Sequence, residues 1–299
     1  MVRPHDRLDK RTAGTSTTVD TRRQPLWYTE VMQNLSPVTL ALLAGLFTFG
    51  MTAVGAAVIL LRRNPSQRLM DVLLGFSAGV MLAASFWSLL APSVEIAREM
   101  GAVPWIPTAV GFAVGGIGLW ALDKVMPHAH LMLPGGRLTE EGVRVPWSRS
   151  TLLVLAITLH HIPEGLALGV AAGAAASGAT GTSVGAALAL VLGLGIQNMP
   201  EGLAVSSLLR REGQSRARSV FLGAMTGSVE PIAAVAGALA IGLSQSMLPY
   251  GLAFAAGAMV FVVIEELVPE CQRCGHADAA VLASIVGFTL MTVLDIGLA

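Results

Sequence analysis

Residues 160–167 read His-His-Ile-Pro-Glu-Gly-Leu-Ala and lie inside an apolar run that extends from about Trp147 to Gly173. A run of this length can cross the hydrocarbon core of a bilayer as one helix. Ionisable side chains are costly at that depth, so one glutamate and two histidines together indicate a functional site rather than a packing surface. These residues therefore indicate both how the chain folds and where it acts.

A second apolar segment repeats this motif. Residues 197–204 read Gln-Asn-Met-Pro-Glu-Gly-Leu-Ala, so the Pro-Glu-Gly-Leu-Ala core recurs 37 residues later. Side chains three and four residues apart share a helix face, which places both histidines beside Glu164 and both amides beside Glu201. Each proline also frees a backbone carbonyl one turn earlier, at Leu159 and at Ile196. Imidazole, carboxylate, amide and carbonyl donors together suit a divalent metal ion.

The composition is that of an integral membrane protein. Of the 299 residues, 54% are hydrophobic and 13% are charged, and the mean hydropathy is +0.67, far from a soluble domain. The formal net charge is zero, and no basic face or aromatic groove indicates a nucleic-acid partner. The apolar runs predict an all-α fold with about eight transmembrane helices, near residues 38–61, 70–94, 105–123, 148–173, 183–209, 219–243, 248–268 and 279–298.

Outside the predicted spans, the chain has a polar N-terminal tail and one longer loop. Residues 1–36 lack the apolar core of a secretory signal and are predicted to be disordered, so the transmembrane domain is residues 37–299. Most arginine and lysine lies in the loops after spans one, three, five and seven, which predicts that these loops are cytoplasmic and both termini extracytoplasmic. The basic residues of the tail favour the opposite orientation. The loop at 124–147 carries His128 and His130, which fit either a solvated loop or weak metal capture.

Span six contains one acid, Glu230, directly before Pro231. We predict that it points toward the same interior as Glu164 and Glu201, because a charged group facing lipid is hard to tolerate. Three ionised carboxylates in one interior would be stable only with bound cations. Span one has small residues and no ionisable group, so it is predicted to pack or to face lipid. Spans four and five should form an antiparallel hairpin whose backbones approach at glycines, namely Gly165, Gly169, Gly193, Gly195 and Gly202.

Side chains that could bind a metal ion lie on both sides of the predicted site and suggest a path for the ion. In span two a helical stripe runs toward the outer end and consists of Met81, Ser85, Ser88, Pro92 and Glu95. Glu95, together with Asp295 of span eight, would make an anionic entrance. Span seven ends in three acids that would form an exit, and these are Glu265, Glu266 and Glu270. Cys271, Cys274 and His276 follow and are a weak zinc signal, since they lack a fourth ligand.

Together these motifs resemble the ZIP (Zrt/Irt-like protein) family of divalent metal transporters, and most of all its bacterial GufA-like branch. The resemblance covers residues 37–299 and rests on HHIPEGLALGV at 160–170, QNMPEGLAV at 197–205, SVEP at 228–231 and EELVPE at 265–270. It implies an eight-helix monomer or homodimer in the bacterial inner membrane. It also implies a binuclear metal site between helices 4, 5 and 6, with helix 2 contributing.

The resemblance further implies which residues bind metal. One ion would be held by His160, Glu164, Gln197 and Glu201, with Met81 nearby. The second would share both glutamates and add His161, Asn198 and Glu230. By this resemblance, His161 stands where many relatives have asparagine, Asn198 where some have aspartate or histidine, and Glu265 where relatives often carry histidine. Zinc is the predicted cargo, with iron(II), manganese or cadmium as alternatives, because these donors suit borderline ions better than copper(I) or calcium.

Three other functions were weighed against metal transport. A purely structural role, in which the polar residues only hold helices together, is disfavoured. Burying three acids and two histidines costs far more free energy than helix packing requires. An intramembrane metalloprotease usually carries His-Glu-x-x-His, whereas the order here is His-His-x-x-Glu, so the chain is predicted not to be an enzyme. A passive channel can use the same ligands as a carrier. The family resemblance favours a carrier that works by alternating access and delivers the ion to the cytoplasm.

Overall fold

The computed structural model describes residues 35–61, 65–126, 128–130, 139–141, 148–178, 182–272 and 275–298. Within these residues, eight helices are long and apolar enough to cross a membrane, which confirms the predicted all-α membrane fold. They are α1 Pro37–Leu61, α2 Gln67–Glu99, α3 Trp105–Val125, α4 Arg149–Ser177, α5 Val184–Arg211, α6 Arg216–Leu243, α7 Gln245–Gln272 and α8 Ala277–Leu298. Two short strands between α3 and α4, β1 His128–His130 and β2 Thr139–Glu141, pair antiparallel. Residues 1–34 of the predicted tail lie outside the described residues.

Serine side chains begin five of the helices. Each accepts a hydrogen bond from the backbone N–H three residues later, and the five are Ser36, Ser66, Ser148, Ser183 and Ser215. Such caps satisfy donors that the first turn of a helix leaves without a partner. At the other end of α4, Gly178 adopts a positive φ of 67° and closes the helix. Because these terminal turns are less apolar than the spans, several helices extend a few residues beyond the predicted apolar runs.

Three helices change their hydrogen-bonding pattern part-way along. They contain a π turn at Ser85–Leu90 in α2, a 3-10 turn at Thr226–Ser228 in α6 and a π turn at Val263–Leu267 in α7. A π turn adds a residue to the helical repeat and so rotates the side chains that follow it. The stripe predicted on α2 is therefore interrupted. Ser85 Oγ donates to the carbonyl of Met81 in its own helix, whereas Ser88 Oγ donates to Asp295 of α8.

Close backbone contacts hold the helices together in pairs. The most closely packed pairs are α1 with α5, α2 with α8, α3 with α7, and α4 with α6. In each pair a glycine admits a carbonyl oxygen of the partner to within about 2 Å of where a Cβ would stand, as seen for Gly55 and Met199, Gly79 and Ser284, Gly115 and Phe254, and Gly169 and Ala234. The two helices of each pair run in the same direction, because an even number of membrane crossings separates them along the chain.

The glycines of the two motif helices do not join those helices to each other, so that prediction was wrong. Gly165 and Gly169 of α4 pack against α6, Gly195 and Gly202 of α5 pack against α1, and Gly193 packs against Met291 of α8. The reason is helical geometry. Gly165 and Gly202 each follow a motif glutamate by one residue, which is about 100° around the helix. The face shared by α4 and α5 therefore carries the glutamates, and the glycines face other neighbours.

Replacing Gly79 with alanine is expected to destabilise the protein. Its Cβ would lie 1.9 Å from the carbonyl oxygen of Ser284, and such overpacking costs about 1–3 kcal/mol. Thermal unfolding of the detergent-solubilised protein measures the effect as a fall in Tm. Gly50→Ala is the matched control, because nothing lies within 4 Å of the added methyl group. Equal melting temperatures for the two variants would contradict the close contact between α2 and α8.

Candidate metal site

Side chains from α4, α5 and α6 meet in the interior of the helix bundle. One ligand atom from each of His161, Glu164 and Glu201 lies within 4.8 Å of the others. Glu230 joins them, since its Oε1 is 3.4 Å from Nε2 of His161. The exposed fraction is 6% for Glu201 and 1% or less for the other three residues. The structure therefore brings three carboxylates and one imidazole into a single buried cluster.

Both amides of the second motif bind carboxylates of this cluster. Gln197 donates from Nε2 to Oε1 of Glu164 at 2.9 Å, and Asn198 donates from Nδ2 to Oε1 of Glu230 at 2.9 Å. Gln197 and Asn198 are fully buried. Their donor ends hold the glutamates in place, while their oxygen ends remain as acceptors.

The orientation of His161 is set by its own helix. Its Nδ1 lies 2.8 Å from the carbonyl oxygen of Ile157, one turn earlier. A carbonyl can only accept, so Nδ1 carries the proton of the neutral ring and Nε2 presents a lone pair. This is the arrangement by which a backbone carbonyl prepares a histidine to bind a metal ion through its other nitrogen.

Six buried acceptor atoms in this region have no hydrogen-bond partner in the described part of the chain. They are Nε2 of His161, Oε2 of Glu164, Oε1 of Gln197, Oδ1 of Asn198, Oε1 of Glu201 and Oε2 of Glu230. Among the residues that the structure describes, no lysine or arginine pairs with the three glutamates. Buried acceptors without donors are costly, and a cation can serve all of them at once. Nitrogen and oxygen donors of this kind fit zinc and similar borderline ions.

His160 points away from the cluster core, although it neighbours His161 in sequence. Its Nε2 contacts Oε2 of Glu266 on α7. Both residues line a pocket of about 470 Å³, whose wall also includes Glu164 and Glu201. His160 therefore stands between the buried carboxylates and the open part of the pocket.

The predicted exit acids are distributed unequally around this pocket. Glu266 and Glu270 line it, together with Ile157 near the start of α4 and Leu208 near the end of α5. Glu265 belongs to the same π turn as Glu266 but is partly exposed and does not line the pocket. The pocket thus connects the buried cluster with the end of the bundle at which α7 ends.

The predicted entrance acids lie at different depths. Asp295 is 5% exposed, and its Oδ1 accepts a hydrogen bond of 3.1 Å from Ser88. Glu95 is exposed and lies seven residues beyond Ser88, or about 10 Å along the helix. A second cavity of about 250 Å³ is lined by Ser88 and Pro92 of α2 and by residues near the end of α4 and the start of α5. The joint role of the two acids at an entrance stays a prediction.

The remaining predicted ligands lie elsewhere. Met81 is completely buried in the hydrophobic core of α2 and its neighbours, and its role as a metal ligand stays a prediction. The side chains of His128 and His130 lie outside the described part of the chain, although the backbone of β1 pairs with β2.

The Cys-x-x-Cys segment after α7 leads to a different contact. Cys271 is buried and donates from Sγ to the carbonyl of Val268, while Cys274 lies outside the described residues. His276 contacts Asp71 of α2, with 2.9 Å between Nδ1 and Oδ2. Asp71 is fully buried and also accepts a hydrogen bond from Gln67. Asp71 was not among the predicted site residues, although a lone acid inside an apolar span is a signal that marks such positions.

Comparison with known proteins identifies a family model that matches this chain and several relatives of it. Residues 138–295 match a family model described as "ZIP Zinc transporter". The chain is 40% identical to zinc transporter ZIP11 of Homo sapiens, over 90% of this chain and 100% of that protein. It is 38% identical to zinc transporter GufA of Myxococcus xanthus, over 86% of this chain and 98% of that protein. Zinc transporter ZIPB of Bordetella bronchiseptica is 38% identical, over 89% of this chain and 84% of that protein.

The matched segment contains both Pro-Glu-Gly motifs and Glu230, and so includes all three carboxylates of the buried cluster. The family and these relatives are named as transporters, which argues against the metalloprotease interpretation and supports the prediction that the chain is not an enzyme. The resemblance drawn from the motifs is confirmed: this chain belongs to the ZIP family of zinc transporters and is a multi-pass membrane protein.

Proposed function

We propose that this protein carries Zn²⁺ across a membrane by binding it at the buried cluster of His161, Glu164, Glu201 and Glu230. One observation carries the proposal, namely six buried acceptor atoms without donors around three carboxylates. A divalent cation supplies the missing positive charge and satisfies these atoms together. The relatives named zinc transporters support zinc as the cargo. Iron(II), manganese and cadmium can use the same donors and are the next candidates.

Two neighbouring metal positions are supported by the contacts of the ligands. Glu164, which is bonded to Gln197, lines the pocket together with His160 and Glu201. On the other side, His161 approaches Glu230, which is bonded to Asn198. Glu164 and Glu201 lie between these groups and can bridge two ions. Met81 is proposed as an additional thioether donor to the first ion.

Access to the cluster differs between its two ends. The pocket lined by Glu266 and Glu270 reaches Glu164 and Glu201. The second cavity begins at Ala171 of α4, which is seven residues or about 10 Å beyond Glu164, and the intervening Leu168 is buried. A carrier working by alternating access would present a pocket on one side of its site and buried residues on the other, so this difference supports the proposal of a carrier.

The proposed direction of transport is into the cytoplasm. The loops after α1, α3, α5 and α7 carry most of the arginine and lysine, which supports a cytoplasmic location for the pocket and an extracytoplasmic location for both termini. Ions would enter past Glu95 and Asp295 and leave past Glu266 and Glu270, with Glu265 beside the exit. We place the protein in a bacterial inner membrane.

His160 has two competing partners in this scheme. In the present structure it contacts Glu266, and as a ligand of the first ion it would have to give up that contact. Loading of the metal and formation of the His160–Glu266 contact therefore use the same imidazole nitrogen. Release of the ion into the pocket is favoured when Glu266 regains His160.

The outer surface of the bundle suits lipid or a second copy of the chain. Helices α1, α3 and α8 are the least buried of the eight described spans, and they expose large apolar side chains such as Leu43, Ile117, Trp120 and Ile285. A bilayer covers such side chains. A homodimer that buries part of the same surface is proposed as the assembled form.

Uptake measurements test the role of the bridging carboxylates. Glu164→Ala and Glu201→Ala are expected to abolish Zn²⁺ uptake into proteoliposomes, because each removes a ligand shared by both ions. His128→Ala and His130→Ala, in the loop between α3 and α4, serve as controls and should retain nearly full uptake. Uptake should saturate with zinc concentration, and a panel of divalent ions under imposed pH and voltage gradients defines selectivity and coupling. Near wild-type flux in either glutamate variant would refute the shared-bridge arrangement.

Thermal stability tests the electrostatic argument separately from transport. With a chelator present, Glu201→Gln is expected to melt higher than the wild type, because it replaces one of three crowded buried acids with a neutral amide. Excess zinc should reverse this order, since ligand at about 100 times its Kd stabilises the wild type by about 2.7 kcal/mol. Glu212→Gln is the control, because Glu212 is exposed beyond the end of α5. If zinc stabilises Glu201→Gln as much as the wild type, Glu201 does not bind the ion.

A further inference from the structure

Helix α1 passes close to the buried cluster, although its sequence contains no ionisable residue. A Cβ on Gly45 would lie 2.6 Å from Cα of Pro231 and 3.1 Å from the carbonyl carbon of Glu230. The buried residues of α1 form one stripe that includes Thr48 and Thr52, and both threonines are completely inaccessible. The backbones of α1 and α6 therefore meet directly beside a carboxylate of the site.

The hydroxyl of Thr52 faces that carboxylate. Its Oγ1 is 3.5 Å from Oε1 of Glu230 and 3.2 Å from the carbonyl oxygen of Thr48. A hydroxyl has one proton and can turn it toward either acceptor, and an ionised carboxylate is the stronger of the two. Thr52 can thus donate to Glu230 without leaving its place in the helix.

Gly227 provides the room for this contact. A Cβ at Gly227 would lie 2.9 Å from Oε1 of Glu230 and 2.9 Å from Oγ1 of Thr52. The carboxylate of Glu230 and the hydroxyl of Thr52 therefore approach each other beside the Cα of Gly227, in the 3-10 turn that interrupts α6. Any larger residue would push Glu230 away from Thr52.

The two oxygens of Glu230 have different surroundings as a result. Oε1 receives Asn198 at 2.9 Å and has Nε2 of His161 at 3.4 Å and Thr52 at 3.5 Å. Oε2 is buried without a hydrogen-bond partner. Asn198 and Thr52 are both donors and both lie on Oε1, so they set the rotation of the carboxylate and leave Oε2 for the ion.

We propose that Thr52 of α1 is a positioning residue for the zinc site, which acts by holding Glu230 so that Oε2 faces the bound metal. The inference rests on the proposed function, because it assigns Glu230 as a zinc ligand. It adds α1, a helix without ionisable residues, to the helices that build the site. Outer groups that orient a ligand typically change metal affinity or activity by about 10–100-fold when they are removed.

Zinc uptake by Thr52→Val tests this role. Valine keeps the shape of threonine and removes only the hydroxyl, so the half-saturating zinc concentration should rise about tenfold, while the maximal rate changes less than about twofold. Thr52→Ser keeps the hydroxyl and should restore the wild-type value. Thr158→Val is the matched control, since the hydroxyl of Thr158 donates to the carbonyl of Val154 in its own helix.

A double-mutant cycle separates positioning from packing. In a Glu230→Gln background, Thr52→Val should have no further effect, because the group through which Thr52 acts has already been changed. Gly227→Ala should raise the half-saturating concentration as Thr52→Val does, since it disturbs the same contact from α6. If Thr52→Val does not fold, as judged by thermal unfolding, Thr52→Ala replaces it in the same cycle.

The outcomes distinguish the inference from the proposed function. An unchanged half-saturating concentration in Thr52→Val, or an equal loss in the wild-type and Glu230→Gln backgrounds, would overturn the role of Thr52. Failure of serine to restore the wild-type value would also overturn it. Absence of saturable zinc uptake by the wild-type protein would instead refute the proposed function itself.

Discussion

Three carboxylates lie buried in this membrane protein without a lysine or arginine partner among the described residues, and they impose the constraint on which the remaining structure depends. Moving one carboxylate out of water costs several kcal/mol even after the protein relaxes, and a whole domain is stable by only about 5–15 kcal/mol. Hydrogen bonds from Gln197 and Asn198 relieve part of this cost at Glu164 and Glu230. The remaining unpaired oxygens are tolerable because a divalent cation can bind them. The features that make the apoprotein costly are thus the ones that suit the cluster to binding a divalent cation.

The helix packing makes this arrangement possible by keeping bulky side chains out of the helix contacts. Glycine at Gly165 and Gly202 lets α6 and α1 approach the two motif helices, while the glutamates one residue earlier face each other. The π turns of α2 and α7 lie on the two sides of the site, and they carry Ser88 and Glu266. Such turns often occur at functional positions because they redirect side chains without ending the helix. The irregular turns and the glycines therefore place the donors that regular helices alone would point elsewhere.

Helices without ionisable residues also shape the site. The contact between Thr52 and Glu230 shows that a neutral hydroxyl can lie at a ligand as closely as a charged group. Conversely, the adjacent histidines have different surroundings, since His161 is held by Ile157 inside the cluster and His160 contacts Glu266 at its edge. Consecutive residues differ by about 100° around a helix, so two adjacent histidines can have different neighbours and different roles. The residue type alone does not show which of the two histidines lies inside the cluster and which contacts Glu266.

The sequence by itself determined the number of spans, the membrane environment and the residues of the buried cluster. Apolar run length follows from bilayer thickness, and the cost of burying Glu164, Glu201 and Glu230 marks them wherever they occur. Only the tertiary structure decided that the motif glycines face α6 and α1, that His160 contacts Glu266, that Asp71 binds His276, and that Thr52 lies beside Glu230. Each of these contacts joins residues far apart in the chain through packing between helices. Helical periodicity predicts which side chains share a face, but the neighbour on that face depends on how all eight described helices pack together.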